Sequence, residues 1–141
     1  DRGTHAYDLK HTIELNDIPT CACWDTCSLT LTVGYASGNI DCFVLSPESN
    51  NTKLKLYTTI RGFRKPIIAV TTQGLNRNVL AISKENVMGA FDISHEENYK
   101  VDETALNYNL TALHFDTTSN RLFLGTNRGE FYIYSFLVDE Y

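Results

Sequence analysis

At 141 residues and 15.9 kDa the chain has the length of one ordinary domain. It is 43% hydrophobic and 21% charged, a composition that buries a core and excludes a disordered tail. The net charge of −5 argues against a dedicated nucleic-acid binder, and no run of ~18 apolar residues supplies a membrane-spanning helix. Sixteen Thr against eight Ala, with eight Tyr and seven Phe, is strand chemistry rather than helix chemistry. Asp1 begins a stretch without the charged and apolar regions of a signal peptide, and a cytoplasmic protein is expected.

In chain order, residues 9–15 predict an outer strand that precedes the first full unit. Strands follow near 18–24, 29–35, 39–45 and 54–60. A second set lies near 66–72, 78–83, 87–93 and 99–105, and a third near 109–115, 121–126 and 130–136. Inner strands are near-continuous apolar runs, whereas 54–60 alternates as an exposed strand should. The segment 46–53 reads as a loop rich in Pro, Ser and Asn, and 94–98 as a second loop. Gly38, Asn86 and Gly129 fall at equivalent places, where a tight hairpin needs positive φ. Phe43, Phe91 and Tyr134 each follow that residue by five. Three matched sets of turn and aromatic define an internal repeat.

Four strands per repeat at a period of ~40–45 residues or a little more is the signature of a β-propeller blade. The chain resembles the WD-repeat family over all three units. Residues 60–67, Ile-Arg-Gly-Phe-Arg-Lys-Pro-Ile, look like the Gly-His pair that leads into the innermost strand, with Phe63 in the place of His. Phe91-Asp92 sits where the Trp-Asp pair closes the third strand, and Phe43-Val44 and Tyr134-Ser135 are degenerate versions. The literal Trp24-Asp25 is a decoy that ends an innermost strand. Ser37, Glu85 and Arg128 replace the family's turn Asp, so its Asp-His network is not carried over. Residues 18–23 and the 33–38 hairpin are further similar to a blade of WD-repeat proteins that also carry a FYVE finger, although no such finger is encoded here. The resemblance implies an all-β chain of three four-stranded blades, at about 18–60, 66–105 and 109–141, as part of a larger ring. Further blades of the same protein, or other copies, would complete that ring. Three blades alone would leave two apolar faces open, well beyond the roughly 300–600 Å² patch of an ordinary monomer.

Chemistry-bearing residues are sparse. Cys21, Cys23 and Cys42 are expected as reduced core residues, because the C-x-C-x3-C spacing through Cys27 lacks a tight zinc turn. His5, His11, His95 and His114 show no metal spacing, and His114 is expected semi-buried on an innermost strand. Nucleophile-elbow, Walker and dinucleotide motifs are absent, so no enzyme and no cofactor are expected. Residues 116–120 read as a hairpin turn rather than a calcium loop. Of two glycosylation sequons, at Asn50 and Asn109, the second is expected inside a buried strand.

A surface remains. Lead-in loops and second hairpins should share one face, bringing Arg61, Phe63, Arg64, Lys65, Tyr35, Lys84, Tyr108 and Arg128 together as a basic and aromatic partner-binding surface. The other face collects Asp25, Gln73, Asn76, Glu96, Glu97 and Asp116. The resemblance implies a non-catalytic scaffold that binds other proteins; the alternative is a phosphoinositide-binding module using loop 61–65.

Overall fold

A computed structural model describes residues 6, 7, 9, 12–48, 51–73, 77–116, 119 and 121–135. Among these the chain is all-β, without helix. The strands are β1 (Pro19–Asp25), β2 (Thr30–Tyr35), β3 (Ile40–Glu48), β4 (Asn51–Ile60), β5 (Ile67–Gln73), β6 (Asn78–Ser83), β7 (Val87–Asp92), β8 (Tyr99–Ala105), β9 (Leu110–Asp116), β10 (Arg121–Thr126) and β11 (Phe131–Ser135). They form three antiparallel meanders: a first sheet β1-β2-β3-β4, a second β5-β6-β7-β8 and a third β9-β10-β11. Two readings need correction. Residues 9 and 12–15, expected as a strand, are not in one; Lys10 and His11 lie outside the described residues. Instead Leu15 packs on the first sheet, so its apolar character serves a face rather than a ladder. The expected loop 46–53 is mostly ladder, with Ser46 opposite Lys53 and Glu48 opposite Asn51, because backbone pairing tolerates a polar hairpin. Residues 136–141, assigned to the third blade, lie outside the described residues; among the described residues that sheet has three strands where four are expected.

Local irregularities repeat as faithfully as the strands. The β1–β2, β5–β6 and β9–β10 ladders each skip one residue, Thr20, Ile68 and Thr111, near the start of the first strand. The β3–β4 and β7–β8 ladders skip Tyr57 and Val101 at matching places. A bulge bends its strand and increases the twist. The second hairpins also match: φ is +96° at Gly38, +64° at Asn86 and +81° at Gly129. Their backbone N–H groups donate to Tyr35 O, Ser83 O and Thr126 O at 3.1, 2.9 and 3.2 Å. Left-handed geometry explains the Gly and Asn at these positions.

Alternation along β2, β6 and β10 gives each sheet two faces. One face of the first sheet, with Ile40 and Cys42, packs on Val70, Val79, Ala81 and Phe91 of the second. The opposite face of the second sheet, with Leu80 and Ile82, packs on Leu122 and Leu124 of the third. Thr32 and Thr72 share a buried 2.8 Å hydroxyl hydrogen bond across the first of these interfaces. Cys42 is buried, Cys21 and Cys23 are half-buried against the same core, and Cys27 is exposed; all four are free. Burial pushes the Cys42 thiol up to about 12 and raises Cys21. These sheets are stacked face to back, and they do not close on themselves.

Candidate functional site at the hairpin end

Equivalent hydrogen bonds tie the lead-in loop of each sheet to its second hairpin. Ala36 N donates to Ile18 O at 2.9 Å, Lys84 N to Pro66 O at 2.8 Å and Asn127 N to Asn109 O at 2.9 Å. All three loops and all three hairpins therefore lie at one end of the stack. Neighbouring sheets also meet there. The carbonyls of Phe63 and Lys65 lie over Gly38, where a Cβ would come within 2.5 and 2.9 Å of them. Leu106 N donates to Asn86 O at 2.8 Å, and the Asn86 side chain donates to that of Asn109 at 2.7 Å.

Two clefts open at this end. The first, about 330 Å³, is lined by Asp17, Tyr35, Asn39, Asp41, Thr59 and Arg61. Asp41 accepts from Tyr35 OH at 2.7 Å and from Thr59 Oγ1 at 2.6 Å. Burial, then the Asp41 carboxylate, raises the Tyr35 phenol above its ordinary range. Asp17 is held below the usual carboxylate range, chiefly by Ser37 and then by the Ile18 N–H at 2.7 Å. The second cleft, about 430 Å³, is lined by Asn86, Asn107, Tyr108, Asn109, Asn127 and Arg128. Tyr108 stacks on Tyr132 with centroids 4.8 Å apart, and its hydroxyl lies 3.1 Å from that of Tyr134. Burial, followed by Tyr134, raises the Tyr108 phenol.

The residues expected at one surface divide into two groups. Arg61, Arg64, Lys65 and Lys84 are exposed, and they form no ion pair among the described residues. Arg128 is exposed but pairs with Glu130 at 3.1 Å. Tyr108 is half-buried. Tyr35 is only 2% exposed, so it supports the first cleft from below instead of projecting from it. Phe63 is half-buried and meets Phe91 edge to face, centroids 5.7 Å apart and planes at 68°. Gly62 and Gly89 make room for this pair, since a Cβ at Gly62 would lie 2.8 Å from Phe91 and one at Gly89 3.0 Å from Phe63. Phe63 is thus a packed ring that anchors the basic loop to the core between the first two sheets. The carboxylates of Asp17 and Asp41 in the first cleft were missed from the sequence, because they lie 44 and 20 positions before Arg61.

At the opposite end, Asp25 accepts from the Ser28 backbone at 2.9 Å and also from its hydroxyl. Asp116 repeats both contacts with Ser119, at 3.2 and 2.5 Å, as a hairpin turn. Glu96 and Glu97 are exposed, whereas Asn76 lies outside the described residues. His114, expected semi-buried, is exposed over Phe123, on a face of the third sheet that no other sheet covers among the described residues. Asn109, expected within a buried strand, is exposed before β9. Among the described residues no three His, Cys, Asp or Glu side chains converge as a metal site, and no helix is long and apolar enough to cross a membrane. No protein-family profile matches the chain, and no curated protein matches it.

Proposed function

We propose that the chain is a section of a WD-repeat-like propeller and serves as a non-catalytic scaffold that binds other proteins through its hairpin end. The observation that carries this reading is the set of four cations, Arg61, Arg64, Lys65 and Lys84, held exposed at one end without an ion pair among the described residues. Loop 61–65 is braced from both sides, by Phe63 in the core and by its carbonyls against Gly38. A braced loop presents contact area at little entropic cost. Cations on an acidic chain steer an acidic partner toward that end and raise its rate of association. Asp17 and Asp41 beside Arg61 give that end both signs of charge, which suits the mixed surface of a protein partner better than a multiply charged phosphoinositide headgroup. The test is affinity capture with the chain and with its Arg61→Glu, Arg64→Glu, Lys65→Glu triple variant, circular dichroism confirming equal folding. Loss of the captured proteins by the variant supports the reading. Identical recovery by both overturns it, as does salt-sensitive co-sedimentation with phosphoinositide vesicles in place of protein capture.

A further inference from the structure

The loop between β7 and β8, residues 93–98, carries chemistry that the hairpin end does not use. Ser94, His95, Glu96 and Glu97 are consecutive and all exposed. Ser94 is the only serine or threonine of the sequence with an acid three positions later, Glu97, and it has a second, Glu96, two positions later. A hydroxyl followed by carboxylates is the pattern that a basic kinase cleft selects, because the acids steer the segment in and pair with the cleft.

The same hydroxyl holds the loop in shape. Asp92 accepts from Ser94 Oγ at 2.6 Å, from Ser94 N at 2.8 Å and from Tyr99 OH at 2.9 Å. These donors, the Ser94 hydroxyl first, keep the Asp92 carboxyl below the usual carboxylate range. On one side of Ser94, Ile93 is buried in the core and its N–H donates to Arg77 O at 2.8 Å. On the other side the loop is clipped to β4 of the first sheet. Thr58 Oγ1 donates to Glu96 O at 2.6 Å. Asn98 Nδ2 donates to Thr58 Oγ1 at 2.6 Å and to Thr59 O at 2.9 Å. The Ser94 turn therefore positions a clip between two sheets.

We propose that Ser94 is a phosphorylation site for an acidophilic serine kinase, and that the phosphate releases loop 94–98 from β4. Ser94 Oγ attacks the γ-phosphorus of Mg-ATP. The Oγ–P bond forms, the bond from that phosphorus to the β,γ-bridging oxygen breaks, ADP leaves, and the hydroxyl proton passes to the carboxylate base of the kinase. The modified side chain has lost the hydroxyl proton that Asp92 accepts, and it sets a charge of about −1.5 to −2 beside that carboxylate. Glu96 and Glu97 add like charge along the same loop. The guanidinium of Arg77, whose carbonyl holds Ile93, is engaged over the Tyr57 ring, 5.9 Å from its centroid. Repulsion at Asp92 thus opens the turn, and Glu96 and Asn98 move off Thr58.

The experiment incubates the full folded chain with Mg-ATP and a purified acidophilic kinase of the casein-kinase type, then reads intact mass, peptide masses and hydrogen exchange. One phosphate should enter, on Ser94. Glu97→Gln, a change at an exposed side chain, should slow incorporation by about tenfold or more, and Ser94→Ala should abolish it. Amide exchange across residues 93–98 should rise by about tenfold or more in the phosphorylated chain. Asn98→Ala opens the clip without adding charge, so it should raise exchange in the same segment, and phosphorylation should then add less than about threefold. No incorporation, phosphate on another residue, or an unchanged rate with Glu97→Gln would overturn the site. Unchanged exchange after phosphorylation would overturn the release. Slower exchange would overturn it too, by showing that Arg77 or His95 clamps the phosphate.

Discussion

Phe63→Ala separates a packed ring from an exposed anchor, and the structure specifies how large the effect should be. Truncating a fully buried Phe costs about 3–5 kcal/mol, so a half-buried ring loses about 2. The edge-to-face contact with Phe91 contributes about 0.5–1.5 kcal/mol beyond the area term. A total of about 2.5–3.5 kcal/mol, at roughly 3 °C per kcal/mol for a chain of this size, lowers the melting midpoint by about 8–10 °C. Urea titration should show a lower midpoint with an unchanged slope, because the ring supports the native state without altering the surface exposed on unfolding. Phe63→Leu should restore about half of the loss. A double-mutant cycle with Phe91→Leu should return a coupling of about 0.5–1.5 kcal/mol. A loss below about 0.5 kcal/mol, together with faster release of a bound partner, would show that the ring faces outward and would refute the packing argument.

Three further outcomes follow from particular contacts. Gly38→Ala should cost at least 2 kcal/mol, roughly, since left-handed strain adds to a collision with the Phe63 carbonyl, whereas Gly129→Ala should cost about 1–2 from strain alone; denaturant midpoints check the contrast. Thr32→Val or Thr72→Val alone should cost about 1–3 kcal/mol by stranding a buried hydroxyl, and the double variant should recover most of it. The Cys42 thiol, raised from 9.0 to about 12 chiefly by burial, contributes stability that is complete below pH 9 and is lost as the pH rises toward 12, at most about 4 kcal/mol at 1.36 per unit. Unfolding titrations at pH 8 and pH 11 should therefore differ less for Cys42→Ala than for the parent chain.

Repeat and turn chemistry were legible because they depend on local residue types. Positive φ demands Gly or Asn, and Gly38, Asn86 and Gly129 all adopt it. Strand bounds followed from apolar runs to within a residue or two, except where β3 and β4 continue through a polar hairpin to Glu48 and from Asn51. The bulges at Thr20, Ile68 and Thr111 left no such trace, since a skipped rung needs no particular side chain. The candidate surface was legible in its cations but not in its support. Nothing local distinguishes an exposed Phe63 from one turned onto Phe91, 28 positions later. Tyr35 was misjudged for a related reason. Its hydroxyl finds Asp41 across the hairpin, so its ring can be buried without an unpaired polar atom. The Asp25-Thr-Cys-Ser28 and Asp116-Thr-Thr-Ser119 turns, by contrast, carry a visible repeated pattern that matches their shared geometry.

The most direct test of the hairpin end as the working surface is hydrogen exchange of the chain with and without a protein that it captures, resolved by segment. Binding should slow exchange in residues 61–65, 84–86 and 127–130, which three equivalent hydrogen bonds place at one end. Protection confined to residues 25–29 and 94–98 at the opposite end would contradict the account.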